Sequence, residues 1–131
     1  MKPNPRVLVC GDRNWTDFDM VYHTLTYLEP CHVIEGEAPG ADTIGREAAD
    51  VLKIPVSKFP AKLSQFGKLA GPIRNQQMID EGNPDLVLAF HDNLKTSKGT
   101  KDMVKRARKA QIEVQVYSHH WNGEMFIEIL K

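Results

Sequence analysis

Arg6-Val7-Leu8-Val9-Cys10, closed by Gly11-Asp12-Arg13-Asn14-Trp15, decides the fold. A short apolar run without alternation, stopped by glycine, reads as a strand buried on both faces. The pattern then changes to a helical period, with Phe18, Val21, Tyr22, Leu25 and Leu28 on one face. Thr16 is placed to cap that helix with Asp19 as its capping-box partner, and Pro30 ends it.

The unit repeats outward from there. Cys31 to Glu35 reads as a second strand stopped at Gly36, and Asp42 to Lys53 as a second helix burying Ile44, Ala48, Val51 and Leu52. Pro55 to Phe59 is a short third strand, and residues 60–70 show no period. Gly71-Pro72 opens a polar helix through Glu81, with proline suited to the first turn. Gly82-Asn83-Pro84 breaks it before Asp85 to Phe90, the most apolar strand. Gly99-Thr100 opens a further helix with Met103, Val104, Ala107 and Ala110 inward, and Glu113 to Tyr117 alternates like a strand with one wet face. Trp121 to Leu130 is apolar enough to dock as a strand or a short helix; the pattern leaves both open. Strands alternating with helices imply α/β architecture: a single Rossmann-like three-layer domain over residues 1–131, with a mainly parallel sheet of about five strands.

Seventeen basic residues balance seventeen acidic ones, so bulk charge points to neither a nucleic-acid nor a membrane partner. No apolar run approaches a membrane span or the core of a signal peptide. Cys10 and Cys31, both in apolar strand contexts, read as buried thiols of a reducing compartment, and the expected location is the cytoplasm. A homo-oligomer stays open.

In such sheets ligands sit beyond the carboxyl ends of the strands, where strand order reverses. Three strand ends converge there with glycine and polar groups: Gly11, Asp12, Arg13 and Trp15; Gly36, Glu37, Ala38, Pro39, Gly40 and Asp42; and His91 followed by Lys98, Gly99 and Thr100. Glycines admit close backbone approach, and helix N-termini favour anions. Residues 38–42 and 97–100 both feed helix starts, so two phosphate cradles are expected on one edge. Arg13 and Arg74 would add charge, and Trp15 would stack on a base. Each feature has a plainer reading: Asp42 as a helix N-cap, Trp15 as a lid over the core, glycines as turn formers. Gly40 is expected to serve the ligand, so that Gly40→Ala folds normally and loses affinity.

No G-x-G-x-x-G follows the first strand, no G-x-x-x-x-G-K-[ST] occurs, and no nucleophile elbow is present. The five histidines lack metal-site spacing, and His119-His120 reads as a wet turn. No metal and no firm cofactor are therefore expected, and catalytic residues stay unassigned. Residues 92–111 carry seven basic side chains against Asp92 and Asp102. Without interleaved aromatics they read as a solvated helix face, with Lys98 and Lys101 nearest a bound phosphate.

Gly11-Asp12-Arg13, the block Glu35 to Asp42, Gly71 to Met78 and Ser97-Lys98-Gly99-Thr100 occur in the order seen in the SLOG superfamily. The chain resembles its YspA/cpYpsA-related branch, common in bacteria and their phages, from about residue 5 to 117. The resemblance implies a Rossmannoid fold that binds nucleotides or nucleotide-derived ligands. Its relatives include cytokinin-activating nucleoside-phosphate hydrolases, the DNA-processing protein DprA and ligand sensors of defence systems. The hydrolases carry P-G-G-x-G-T-x-x-E, with a catalytic glutamate. Here Met103 holds that position and Thr96-Ser97 replaces the glycine pair. Asp102 is one residue off, a helix step of about 100° away. The leading reading is a small phosphate-bearing ligand held by a sensor or carrier. A nucleotide hydrolase using Glu37, Asp42, His91 or Asp92 ranks second, and DprA-like single-strand binding third.

Overall fold

The computed structural model describes residues 3–131. Six strands form one sheet: β1 (Arg6–Gly11), β2 (His32–Glu35), β3 (Val56–Lys58), β4 (Leu86–Phe90), β5 (Glu113–His119) and β6 (Met125–Leu130). Their order is β3-β2-β1-β4-β5-β6, with every pair parallel except β5–β6. Helices α1 (Phe18–Leu28), α2 (Ala41–Leu52), α4 (Ala70–Asp80) and α5 (Gly99–Lys109) cover it, and a single turn, α3 (Leu63–Phe66), precedes α4. The architecture is the expected three-layer, Rossmann-like α/β arrangement.

The period of two along β1 distributes the core. Val7 and Val9 join the layer under α1 and α2, with Leu25, Ala48 and Phe90. Leu8 and Cys10 join the opposite layer under α4 and α5, with Met78, Met103 and Ala107. β1 and β4 lie at the centre with both faces covered, so their apolar runs have no alternation to show. Strand order reverses between them: β2 and β3 lie to one side of β1, and β4, β5 and β6 to the other. Among the described residues no helix is long and apolar enough to cross a membrane.

Several expectations need correction. The sheet has six strands, because the segment 121–130 supplies β6 as an antiparallel edge. Asp17, not Thr16, caps α1, its carboxylate accepting the Met20 N–H at 3.0 Å. Helix α2 starts at Ala41 after Gly40, without a side-chain cap, so Asp42 is not its N-cap. Its sheet-facing stripe consists of Ala41, Gly45, Ala48 and Ala49, while Val51 is 63% exposed. The reason is proximity: a Cβ on Gly45 would overlap the Val9 side chain, so only small residues fit beneath the helix. Ala110, past the last turn of α5, is exposed. Residues 60–70, unread by periodicity, hold α3 and the 3₁₀ turn Gly67–Leu69 that leads into α4.

Phe90 ties these layers at the end of β4. It is fully buried, stacks on Tyr117 at 4.9 Å and meets Trp15 at 5.8 Å. Phe90→Ala should therefore lower unfolding free energy by about 3–5 kcal/mol. Denaturant titration measures it, and a loss below 1 kcal/mol would contradict the packing described.

Candidate functional site

The strand-order reversal between β1 and β4 opens a cleft of about 860 Å³ at their carboxyl ends. Gly11, Asp12, Arg13 and Asn14 form the wall above β1; Ala38, Pro39 and Asp42 come from the β2–α2 connection. The opposite wall is built by Gly71, Pro72, Arg74, Asn75 and Met78 of α4, and by residues 96–100, Asp102 and Met103 around the start of α5. His91 lies at the end of β4, and Lys68 enters from the 3₁₀ turn. Eleven of the fifteen residues expected at the site are thus brought together; Trp15, Gly36, Glu37 and Gly40 are not among the lining residues.

Trp15 takes the plainer of its two readings. It is 5% exposed, stacks on His119 at 4.8 Å and donates its indole N–H to the Asp17 carbonyl at 3.2 Å. Its faces are committed to the core edge rather than to a base. Glu37 turns away to Arg46 and Lys58, each 3.7 Å distant. Gly36 is enclosed: its N–H donates to Asp42 at 3.0 Å, its carbonyl accepts from the Arg74 guanidinium, and a Cβ there would overlap that guanidinium.

Gly40 carries φ +79° and presses on the β1–α1 turn, where a Cβ would overlap the Asp12 carbonyl and the Arg13 backbone. It serves chain geometry, so the expectation of a freely tolerated Gly40→Ala is reversed. The α2 start is likewise occupied from within. Ala41 donates its N–H to the Asp12 carbonyl at 3.1 Å, and the Asp42 carboxylate already supplies negative charge to that turn. At α5, the Ser97 hydroxyl accepts the Thr100 N–H at 3.0 Å and, more weakly, that of Lys101 at 3.4 Å. Gly99 differs from the other strand-end glycines, because a Cβ there would meet nothing within 4 Å.

The charges divide into committed and available. Asp102 is held by Arg106 at 2.8 Å and by the Asn75 amide at 2.9 Å, which keep its carboxyl below the usual range despite some burial. Asp42 is 5% exposed, and burial raises its pKa to about 6 against the opposing pull of Arg74. Glu35, fully buried at the end of β2, accepts the Glu37 N–H at 2.6 Å, but its second oxygen has no partner among the described residues. Burial pushes its pKa to about 7. The Cys10 thiol in the cleft floor is raised far beyond its normal range by burial, so it is a packing group rather than a nucleophile. Arg13, Lys68 and Lys98 are exposed cations on the cleft wall. Among the described residues no group of three or more His, Cys, Asp or Glu is arranged to hold a metal ion.

Sequence reasoning missed three features. Lys68 fell in a segment without period, and Asn75 was hidden in a helix read only as polar. His119 is no wet turn: it extends β5 and lies between Asp17 at 2.7 Å and Asp92 at 3.0 Å, which together raise its pKa. His-Asp contacts across 102 and 27 residues leave no local signal.

A Rossmann-like sheet with a polar, cation-bearing cleft at its switch point defines the class of domain. The family model YAcAr, the YspA, cpYpsA-related SLOG family, matches residues 5–66, a little under half of the chain. The match carries the β1 and β2 walls of the cleft; the α4 and α5 walls lie beyond it. No curated protein matches the chain.

Two outcomes follow for stability. Gly40→Ala should cost about 1 kcal/mol or more, because it combines a positive φ with backbone overlap; an unchanged melting temperature would refute this. Glu35 and Asp42, with raised folded pKa values, hold protons that the unfolded chain releases, so their contribution to stability falls as pH rises. His119, raised by its carboxylates, acts in the same direction, and His32, lowered by burial, in the opposite one. Glu35→Gln isolates one contribution. Relative to wild type its melting temperature should improve steadily from about pH 5 to about pH 8, and a pH-independent difference would show that Glu35 stays charged.

Proposed function

We propose that this protein binds a nucleotide or nucleotide-derived phosphate ligand in the β1–β4 cleft, as a sensor or carrier. The observation that carries the reading is the set of exposed cations Arg13, Lys68 and Lys98 around a cleft of about 860 Å³ at the switch point, with Arg74 in the wall but engaged by the Gly36 carbonyl. The three acids that line the cleft are each engaged within the protein, Asp12 by the Asn14 N–H, Asp42 by Gly36 and Asp102 by Arg106. The balance offered to a ligand is positive, which suits phosphate. The match of residues 5–66 to the SLOG family model supports a nucleotide-related role. The volume falls in the range of small-molecule and cofactor sites, about 300–1,000 Å³.

Binding is favoured over hydrolysis because Met103, in the cleft wall, stands where the hydrolase-type motif has its glutamate. A thioether neither takes nor gives a proton at neutral pH.

The test pairs ligand screening with one substitution. A panel of nucleoside mono-, di- and triphosphates, nicotinamide dinucleotides and ADP-ribose should contain at least one compound that raises the melting temperature. Saturation at 100 times the dissociation constant adds about 2.7 kcal/mol. Gly99→Ala, whose Cβ enters open space at a helix start, should melt at or above wild type. It should bind that ligand about tenfold more weakly, a loss of about 1.4 kcal/mol. No shift across the panel, or full affinity in Gly99→Ala, would count against this site.

A further inference from the structure

β6 ends the sheet with an open edge, and its six residues, Met125-Phe126-Ile127-Glu128-Ile129-Leu130, include one charge and no proline. Its first five side chains are exposed, and only Leu130 packs on the core, on the α4–α5 side. Met125, Ile127 and Ile129 pair with His119, Tyr117 and Gln115 and share the α1–α2 side of the sheet. They are 51%, 42% and 54% exposed. Phe126 and Glu128 lie on the other side, where Phe126 is 46% exposed. Edge strands are ordinarily protected by brevity, charge, proline or a bulge. The opposite edge follows that rule, with only the three residues Val56–Lys58. β6 does not.

We infer that β6 pairs antiparallel with β6 of a second copy of this chain, joining two six-stranded sheets into one across a two-fold axis. Symmetry and charge select the register. A two-fold perpendicular to the sheet keeps each face on its own side, so residues directly opposite must belong to the same face. Placing Ile127 opposite itself sets Met125 against Ile129 and Phe126 against Glu128, and unites the three apolar residues of each copy in one stripe. The neighbouring registers set Glu128 against Glu128, or Glu124 against Glu128, and like charges directly opposite are destabilising. The chain's zero formal net charge opposes no such self-association at long range. The shortness of β3 gives β6 little to pair with there, which favours a closed pair over a head-to-tail fibre.

Sedimentation velocity or light scattering on the full chain tests this. Wild type should show twice the 14.8 kDa mass in the micromolar range. Ile127→Lys and Ile127→Glu should each be monomeric while keeping the wild-type circular dichroism spectrum, and an equimolar mixture should restore the dimer, because residue 127 faces itself. Wild type that stays monomeric to millimolar concentration overturns the inference. So does either variant keeping the wild-type mass, or a mixture that remains monomeric. If a charged variant unfolds, Ile127→Cys replaces it. Cys10 and Cys31 are buried, so mild oxidation should link the new thiols into a covalent dimer, Cα atoms opposed in an antiparallel pair being within disulfide reach. Absence of that link overturns the pairing equally.

Discussion

The backbone of Asp12 is the fastening on which the site edge depends. Its N–H donates to the Phe90 carbonyl at 2.9 Å, and its carbonyl accepts from Trp15 at 3.0 Å and from Ala41 at 3.1 Å. One residue thereby joins the end of β4, the turn before α1 and the start of α2. Such convergence requires backbones in near contact, and two glycines supply the space. A Cβ on Gly11 would overlap the Phe90 carbonyl, and one on Gly40 would overlap the Asp12 carbonyl. The cleft exists because these three connections are held in register, with Arg13 and Asn14 projecting from a fixed turn.

This explains which parts of the site were legible. Gly11, Asp12 and Arg13 were found because a buried strand must end at the sheet edge, and the residues that follow can go nowhere else. The functions of individual glycines were not legible. Gly40 and Gly99 look equivalent in sequence, each before a helix, yet one is pressed against backbone and the other faces open space. Only the neighbour across the chain distinguishes them. Trp15 was ambiguous for the same reason, since the partner that claims its ring, His119, is 104 positions away in sequence.

The fold was more legible than the site because burial leaves a local record. β1 and β4 announced themselves by continuous apolar runs. The helix stripes were misread only where packing is closest. Under α2 the sheet-facing positions are alanine and glycine, so the hydrophobic period points to Val51, which is exposed. The last strand was unresolvable from pattern alone. β6 is apolar on both faces yet largely uncovered, with Leu130 alone packed on the core, and a period of two cannot appear where both faces carry apolar residues.

The Ser97 hydroxyl that closes the first turn of α5 has a bearing on selectivity. An anion docking at that turn would meet the Thr100 and Lys101 N–H groups already engaged by the Ser97 hydroxyl. For those two groups the gain would be the difference between two hydrogen bonds rather than a whole one. A lone inorganic anion has little to offset that exchange. A ligand that also engaged Arg13 or Lys68 across the cleft would have further contacts with which to do so. If the cleft takes the proposed ligand, discrimination against simple salts would rest in part on Ser97, a residue that need not touch the organic part of it.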